Sequence, residues 1–218
     1  SSRKGSAQLK FKEITLKSFK KKLSENRYYI KQFVNYTRFK DYLNIINTGS
    51  FNEIVLNLNF LFQNKIKFQN IDGYSNFNNI NIQHENDFIE KSSSEISGNI
   101  KFKAFFENNK IIDEYSWLDT NIDASKGMLY FKNLNYNYKF DQAKVKLKIF
   151  KDNLKISEAI FIKNNQIEYN FKDIKIENKI LRNGFLKVIN NTFISSILKD
   201  RLKVDLVGAT EFNFTLQG

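Results

Sequence analysis

The sequence predicts a mainly β protein with minor helix, built on a large, twisted antiparallel sheet. Between Ala143 and Phe171, apolar and polar residues alternate. A period of two is typical of antiparallel strands with one dry and one wet face. Asn-rich turns separate these strands at intervals of about eleven residues, which indicates a meander. No helical pattern interrupts this stretch, which disfavours a doubly wound parallel sheet.

The meander gives the clearest assignment of side chains to the two faces. A turn at residues 151–153 separates its first two strands, and a turn at residues 163–166 precedes a third strand that carries Ile167, Tyr169 and Phe171. Lysines alternate with apolar residues in the first two strands. The pattern therefore predicts that one face carries Val145, Leu147, Ile149, Leu154 and Ile156, and the other Lys144, Lys146, Lys148 and Lys155.

The N-terminal part combines a strand with helices. Residues 1–7 are polar and are interpreted as a linker or as residues added for expression. A short strand is expected at Gln8–Leu16, with a register change before Ile14. Apolar residues then recur at three- and four-residue steps, which predicts two amphipathic helices within residues 18–47. We expect them to be capped by Ser24 and Thr37, broken near Tyr36 and ended at Thr48–Gly49.

Strands resume after these helices. The segment Phe51–Phe62 alternates and directs Ile54, Leu56, Leu58 and Phe60 to one face. Asp72–Gly73 is interpreted as a hairpin turn, because this dipeptide favours tight turns. A strand is expected at Gly98–Phe106, followed by an irregular link over residues 115–123. Met128–Phe140 is expected as a strand that opens at Lys126–Gly127.

The C-terminal part continues the sheet. A phase slip near Lys172–Asp173 indicates a β-bulge, and Asn183–Gly184 is expected to form a turn. A short helix is predicted near residues 192–199, followed by strands at residues 202–207 and 210–216. We divide the chain into a helix-plus-sheet unit, 8–125, and a meander unit, 126–218, that continues the same sheet.

The composition argues against catalysis, cofactors and metals. Cysteine is absent and His84 is the single histidine, which excludes thiolate sites and most catalytic triads. His84 lies in a polar stretch, residues 84–97, that we expect to be a solvated loop. Asp113, Glu114, Asp119 and Asp123 form the densest acidic group, but their spacing does not match a calcium-binding loop. We therefore expect a non-enzymatic protein without a cofactor or metal.

The formal net charge of +12 comes mainly from lysine. Basic surfaces bind nucleic acids or anionic lipids, but these lysines are spread along the strands. Lys, Asn, Ile and Phe are abundant together, which is typical of an AT-rich genome. Sequence-specific nucleic-acid binding would favour arginine, and we expect none. No apolar run is long enough for a membrane span.

Two stretches together resemble a known family. An amphipathic helix ends in the segment Tyr42–Gly49 and is followed by the alternating strand Glu53–Phe62. Later, Lys126–Phe131 precedes the meander, and Phe193–Leu198 precedes Val207–Thr210 and the alternating Phe212, Phe214 and Leu216. This order resembles the AsmA-like envelope proteins of Gram-negative bacteria, closest to the YhdP type, with TamB a more distant relative.

The resemblance implies a segment of a periplasmic protein that is anchored to the inner membrane through a part outside this chain. The sheet would form an open, apolar groove that conducts phospholipid between the inner and outer membranes. Its partners would be phospholipid acyl chains and other envelope proteins. The expected groove lining is Leu56, Leu58, Phe60, Val145, Leu147, Ile149, Leu154 and Ile156.

Alternative functions come from other classes. The residues alone also fit a closed, non-catalytic β-sandwich that recognises glycan or protein through the aromatic-rich segment Tyr130–Tyr138. A nucleic-acid binder is the third possibility. A groove would carry phospholipid, whereas a sandwich would have a solid core, and nucleic-acid binding would depend steeply on salt.

Overall fold

A computed structural model describes most of the chain. The described residues are 3–30, 46–63, 65–82, 95–108, 110–112, 114–131, 135–151, 153–177, 180–188, 195–196, 199–200, 203, 205 and 208–215.

The described residues form one antiparallel sheet of eleven strands, which confirms the predicted fold class. Neighbouring strands follow the order β1-β2-β3-β4-β6-β7-β8-β9-β10-β11, and the short β5 pairs with β4. The sheet is open, because within the described residues β1 pairs only with β2 and β11 only with β10. The strands are β1 Arg3–Thr15, β2 Ile46–Phe62, β3 Ile66–Ile82, β4 Glu95–Glu107, β5 Lys110–Ile111, β6 Trp117–Phe131, β7 Tyr136–Phe150, β8 Asn153–Lys163, β9 Gln166–Glu177, β10 Ile180–Val188 and β11 Thr210–Thr215.

Helix is confined to short segments in the described part. Helix α1 spans Leu16–Glu25 and α2 spans Arg27–Ile30. Leu16 is buried, and the Phe19 ring lies edge-on to Phe51 of β2, with the ring centroids 5.4 Å apart. Ser195, Ser196, Lys199 and Asp200 are also helical, within and just after the predicted 192–199 helix. The predicted helix at residues 31–45, its cap Thr37, and His84 lie outside the described residues.

The meander is confirmed as β7, β8 and β9. Both residues of the β8–β9 turn, Asn164 and Asn165, have positive φ angles of 50° and 59°. This geometry is that of a type I′ turn, whose twist matches that of the flanking strands and which asparagine tolerates well. The predicted phase slips are also present: Asp173 and Glu13 have φ angles of 48° and 51°, and the apolar face changes from odd to even residues at each.

Several predicted boundaries are wrong. Residues 3–7 are not a linker, because β1 begins at Arg3 and pairs with the end of β2. Thr48–Gly49 does not end a helix but lies inside β2. Residues 117–123 of the expected irregular link belong to β6, which runs on without a break past residue 126. The boundary at residues 125 and 126 therefore falls inside a single strand.

The glycine turns predicted at Asp72–Gly73 and Asn183–Gly184 are also wrong, since both lie inside strands. The strand expected to open at Lys126–Gly127 instead begins at Trp117 and ends at Phe131. Gly73 and Gly127 each lie close to an aromatic ring from an adjacent strand. A Cβ atom on Gly127 would lie 1.8 Å from Cζ of Phe140, and one on Gly73 would lie 3.1 Å from Cζ of Phe102. A glycine inside a strand often marks such a close approach.

The buried core lies toward one end of the strands. It contains Tyr138, Phe140, Ala143, Tyr169 and Val188. The aromatic rings pack edge-on, with centroids 5.3 Å apart for Tyr138 and Tyr169 and 5.4 Å apart for Phe140 and Phe161. Contacts of this kind stabilise a core beyond the burial of apolar area alone.

Candidate functional site: the apolar face of the sheet

Cross-strand pairing places apolar side chains in continuous rows that run perpendicular to the strands. Directly paired residues share a face of the sheet, so each row can be followed by cross-strand pairing from one strand to the next. One row, which we call row A, crosses from β1 to β10. It consists of Leu9, Leu56, Gly73, Phe102, Leu118, Ile149, Leu154, Ile176 and Leu181.

Two further rows lie beside row A on the same face. Row B consists of Phe11, Ile54, Ser75, Ile100, Thr120, Leu147, Ile156 and Ile174. Row C consists of Ile14, Phe51, Phe77, Gly98, Ile122, Val145, Ala159, Phe171, Leu186 and Phe212. No charged residue occurs in any of the three rows.

The two hydroxyl side chains of row B do not break its apolar character. Ser75 donates to the Glu53 carbonyl oxygen at 2.9 Å, and Thr120 donates to the Asn99 carbonyl oxygen at 2.8 Å. Both residues are buried, with 8% and 5% of their surface exposed. Because each hydroxyl already donates a hydrogen bond to a backbone carbonyl of the sheet, the side chain contributes mainly its carbon atoms to the apolar face.

The apolar face is closed at one end and open at the other. Toward the core, Phe77, Ala143 and Tyr169 are buried. Row A is different: Leu9 and Ile149 are each 42% exposed, and the other side chains of the row are half-buried. At a strand spacing of about 4.8 Å, this open row extends for roughly 40 Å.

The structure brings the sequence-predicted lining residues onto this one face. Leu56, Ile149 and Leu154 lie in row A, Leu147 and Ile156 in row B, and Val145 in row C. Leu58 continues the face beyond row A, where it pairs with Ala7 and Ile71, and Phe60 pairs with Gly5 and Phe68.

Sequence reasoning missed other members of row A. The sequence predicts a turn at Gly73 and an irregular link at Leu118. The apolar–polar alternation of Leu118, Thr120 and Ile122 with Asp119, Asn121 and Asp123 was the available signal. Four densely spaced carboxylates and the adjacent polar residues obscured it.

The opposite face of the sheet is polar and strongly charged. Lys10 forms an ion pair with Glu53 at 2.5 Å, and the Tyr74 hydroxyl donates to the same carboxylate at 3.0 Å. The hydrogen bond from Lys10, together with that from Tyr74, lowers the pKa of the Glu53 carboxyl. Lys146 pairs with Glu158 at 3.3 Å, and the Lys148 ammonium lies 5.3 Å from the centre of the Trp117 ring.

The sequence-predicted lysines accordingly lie opposite the apolar rows. Lys148, Lys155 and Lys175 are directly paired across β7, β8 and β9 on the polar face. Like charges in direct register destabilise a sheet. Their position on the polar face nevertheless keeps the ammonium groups in water and away from the apolar face.

The described residues contain no group of three or more His, Cys, Asp or Glu side chains arranged to hold a metal ion. Among the helices of the described part, none is both long and apolar enough to cross a membrane. Comparison of the chain with protein-family models, with curated proteins and with solved structures finds no match.

Proposed function

We propose that this chain is a segment of an AsmA-like periplasmic protein and that its apolar face holds phospholipid acyl chains on their way between the two membranes of the envelope. The observation that carries this proposal is row A: an uncharged apolar row that crosses the sheet and remains half-exposed. The family assignment itself rests on the resemblance in the order of elements.

The energetics of the open face favour an apolar occupant. Each methylene group removed from water contributes about 0.8 kcal/mol, so a lipid tail gains several kcal/mol without any specific polar contact. The row extends for roughly 40 Å, which exceeds the thickness of about 30 Å of a bilayer hydrocarbon core. A complete acyl chain therefore fits along it.

The separation of charge between the two faces supports the same function. An ammonium group among acyl chains would be costly, because a charge cannot be left unpaired in hydrocarbon. Lys144, Lys146 and Lys148 alternate with Val145 and Leu147 along β7 and are exposed on the opposite face. A lipid would therefore meet carbon on one side of the sheet and leave the lysines in water on the other.

The sandwich alternative has less support. It needs a second sheet over the apolar face, and the described residues form a single sheet. Its proposed recognition segment, Tyr130–Tyr138, includes Tyr138, which is 5% exposed and belongs to the core. The Tyr130 hydroxyl is 2.8 Å from the Asn135 amide oxygen, to which it donates within the same hairpin.

The decisive experiment introduces a carboxylate into the open face. Leu147→Asp and Leu58→Asp are each purified and scored for thermal melting and, by native mass spectrometry, for co-purified phospholipid. We expect both variants to remain folded and to lose lipid, because a carboxylate repels acyl chains but stays hydrated on a half-exposed face.

Control variants introduce the same aspartate side chain on the polar face of the same strands. Lys148→Asp and Asn59→Asp are expected to keep both fold and lipid. The proposal fails if Leu147→Asp and Leu58→Asp both unfold, since the face would then be a closed core. It also fails if they fold and retain lipid, or if the wild-type chain carries none.

A further inference from the structure

One end of the sheet combines exposed apolar side chains with a surplus of cations. We call it the turn rim: the strand ends where β2 meets β3, β4 meets β5, β7 meets β8 and β9 meets β10, comprising the described residues 3–5, 60–63, 65–68, 104–108, 110–112, 114–118, 148–151, 153–155, 175–177 and 180–182. Because successive strands are antiparallel, these strand ends all lie at the same end of the sheet.

Large apolar side chains are exposed along this rim. Phe62 is 46% exposed and Ile66 is 52% exposed on the β2–β3 hairpin. Tyr115, before β6, is 61% exposed, Phe150 at the end of β7 is 41% exposed, and Ile180 at the start of β10 is 51% exposed. Apolar side chains repeated along one edge of a molecule mark an interaction surface, whereas a single one does not.

Cations lie directly beside these apolar residues. Arg3 pairs with Phe62, and Lys4 and Lys67 both pair with Leu61. Lys65 lies just before β3, Lys110 begins β5 and Lys151 follows β7. The described carboxylates of the rim are Glu107, Glu114 and Glu177. Two of these are already balanced, since Glu114 pairs with Lys151 at 3.3 Å and Glu177 with Lys175 at 2.6 Å.

We propose that the turn rim docks on the surface of an anionic phospholipid bilayer. Apolar tips buried at the boundary between headgroups and acyl chains, flanked by lysines that meet anionic headgroups, are the general features of interfacial membrane binding. Exposed isoleucines gain nothing from a phosphodiester backbone, which argues against nucleic acid as the occupant. Docking goes beyond lipid conduction and does not require the apolar rows to carry lipid.

The test measures binding of the whole chain to vesicles by flotation. Vesicles of phosphatidylcholine alone are compared with vesicles of equal parts phosphatidylcholine and phosphatidylglycerol. The only tryptophan, Trp117, lies at the rim, so its emission should shift to shorter wavelength on docking. We expect at least tenfold stronger binding to the anionic vesicles, weakened by salt, because each lysine near an anionic surface contributes about fivefold.

Two matched pairs of variants locate the surface. Ile66→Asp removes an apolar tip of the rim, and Ile167→Asp changes a comparably placed residue, 41% exposed, just after the hairpin at the opposite end of the strands. Lys65→Glu with Lys67→Glu is compared with Lys139→Glu with Lys163→Glu, which lowers the net charge equally. In each pair the rim change should reduce binding roughly tenfold or more, and the control should change it less than about threefold.

Several results would overturn the proposal. Absence of binding to the anionic vesicles, or equal losses in both members of a pair, would mean that the rim is not the docking surface. If Ile66→Asp binds normally while an oligonucleotide displaces the vesicles, the partner is nucleic acid. Ile180→Ser repeats the test should Ile66→Asp not fold. Leu147→Asp should still dock, which separates failure of docking from failure of lipid conduction.

Discussion

Burial in the aromatic cluster alters the acid–base behaviour of Tyr138. The side chain is 5% exposed and packs against Phe140, Phe161 and Tyr169. Burial raises the pKa of the Tyr138 hydroxyl well above its ordinary value, and the nearby Glu168 carboxylate adds to the increase. The phenolate is disfavoured because it would lose its hydration in the core.

This shift predicts a loss of stability in alkali. An unfolded tyrosine titrates near pH 10, so the contribution of Tyr138 is complete below that pH and declines as the pH rises toward the higher pKa of the folded state. Tyr138→Phe should keep its neutral-pH stability within about 1.5 kcal/mol and lose less of it above pH 10. Urea unfolding at pH 7 and above pH 10 measures the difference. If the free energy of unfolding falls equally in alkali for the wild type and for Tyr138→Phe, the raised pKa is not that of Tyr138.

At the scale of elements, the N-cap of α1 is not the residue that the sequence predicts. Thr15 is its N-cap and accepts a hydrogen bond from the Ser18 backbone N–H at 3.2 Å. Ser24, the expected cap, instead lies in the last turn and donates to the Lys21 carbonyl oxygen at 2.7 Å. The prediction of Ser24 as a cap is therefore wrong. Leu16, Phe19 and Leu23 form the stripe that faces the sheet, and Phe19 contacts Phe51.

The two residues provide a direct comparison. Thr15→Ala should destabilise the protein by about 1 kcal/mol, because it leaves an amide of the first helical turn without its side-chain partner. Ser24→Ala should change stability by less than about 0.5 kcal/mol, since Ser24 is exposed and alanine favours helix. Chemical denaturation of both variants gives the two values. The reverse order would place the start of the helix at Ser24.

At the scale of the whole molecule, the chain carries a formal net charge of +12, and many lysines of the described part lie on the polar face of the sheet and at its turn rim. On the polar face, Lys155 lies between Lys148 and Lys175. Its ion pair with Asp173, 3.8 Å long, is exposed and contributes little. Repulsion between these lysines opposes folding and weakens as salt screens it.

Charge reversal tests this account of the polar face. Lys155→Glu should raise stability by about 0.5 kcal/mol at low salt, equivalent to about 1–2 °C in Tm, and the gain should shrink as salt is added. Lys144→Glu makes the same change in charge but faces Asp123, so it should give no gain. Melting curves at low and high salt distinguish them. Equal gains would assign the effect to net charge alone.

Local patterning determined the meander and the identity of the two faces. Alternation in β7 and β8 fixes which side chains share a face, because the side-chain period of a strand is two and a lysine cannot be buried unpaired. The same reasoning found Leu56, Leu58 and Phe60 in β2. Local chemistry likewise determined the Asn164–Asn165 turn and the slip at Asp173, since asparagine and aspartate tolerate positive φ.

The roles of the glycines, the membership of row A and the turn rim were decided only by the tertiary structure. Whether Gly73 turns the chain or lies inside a strand, and whether Gly127 begins a strand or lies beneath the Phe140 ring, depends on the adjacent strand, which is distant in sequence or unknown in register. Strand pairing likewise decided that Leu118 and Phe102 join row A, and that lysines scattered along the chain meet at one rim. These outcomes depend on contacts between strands, whereas periodicity reports only the two faces within a single strand.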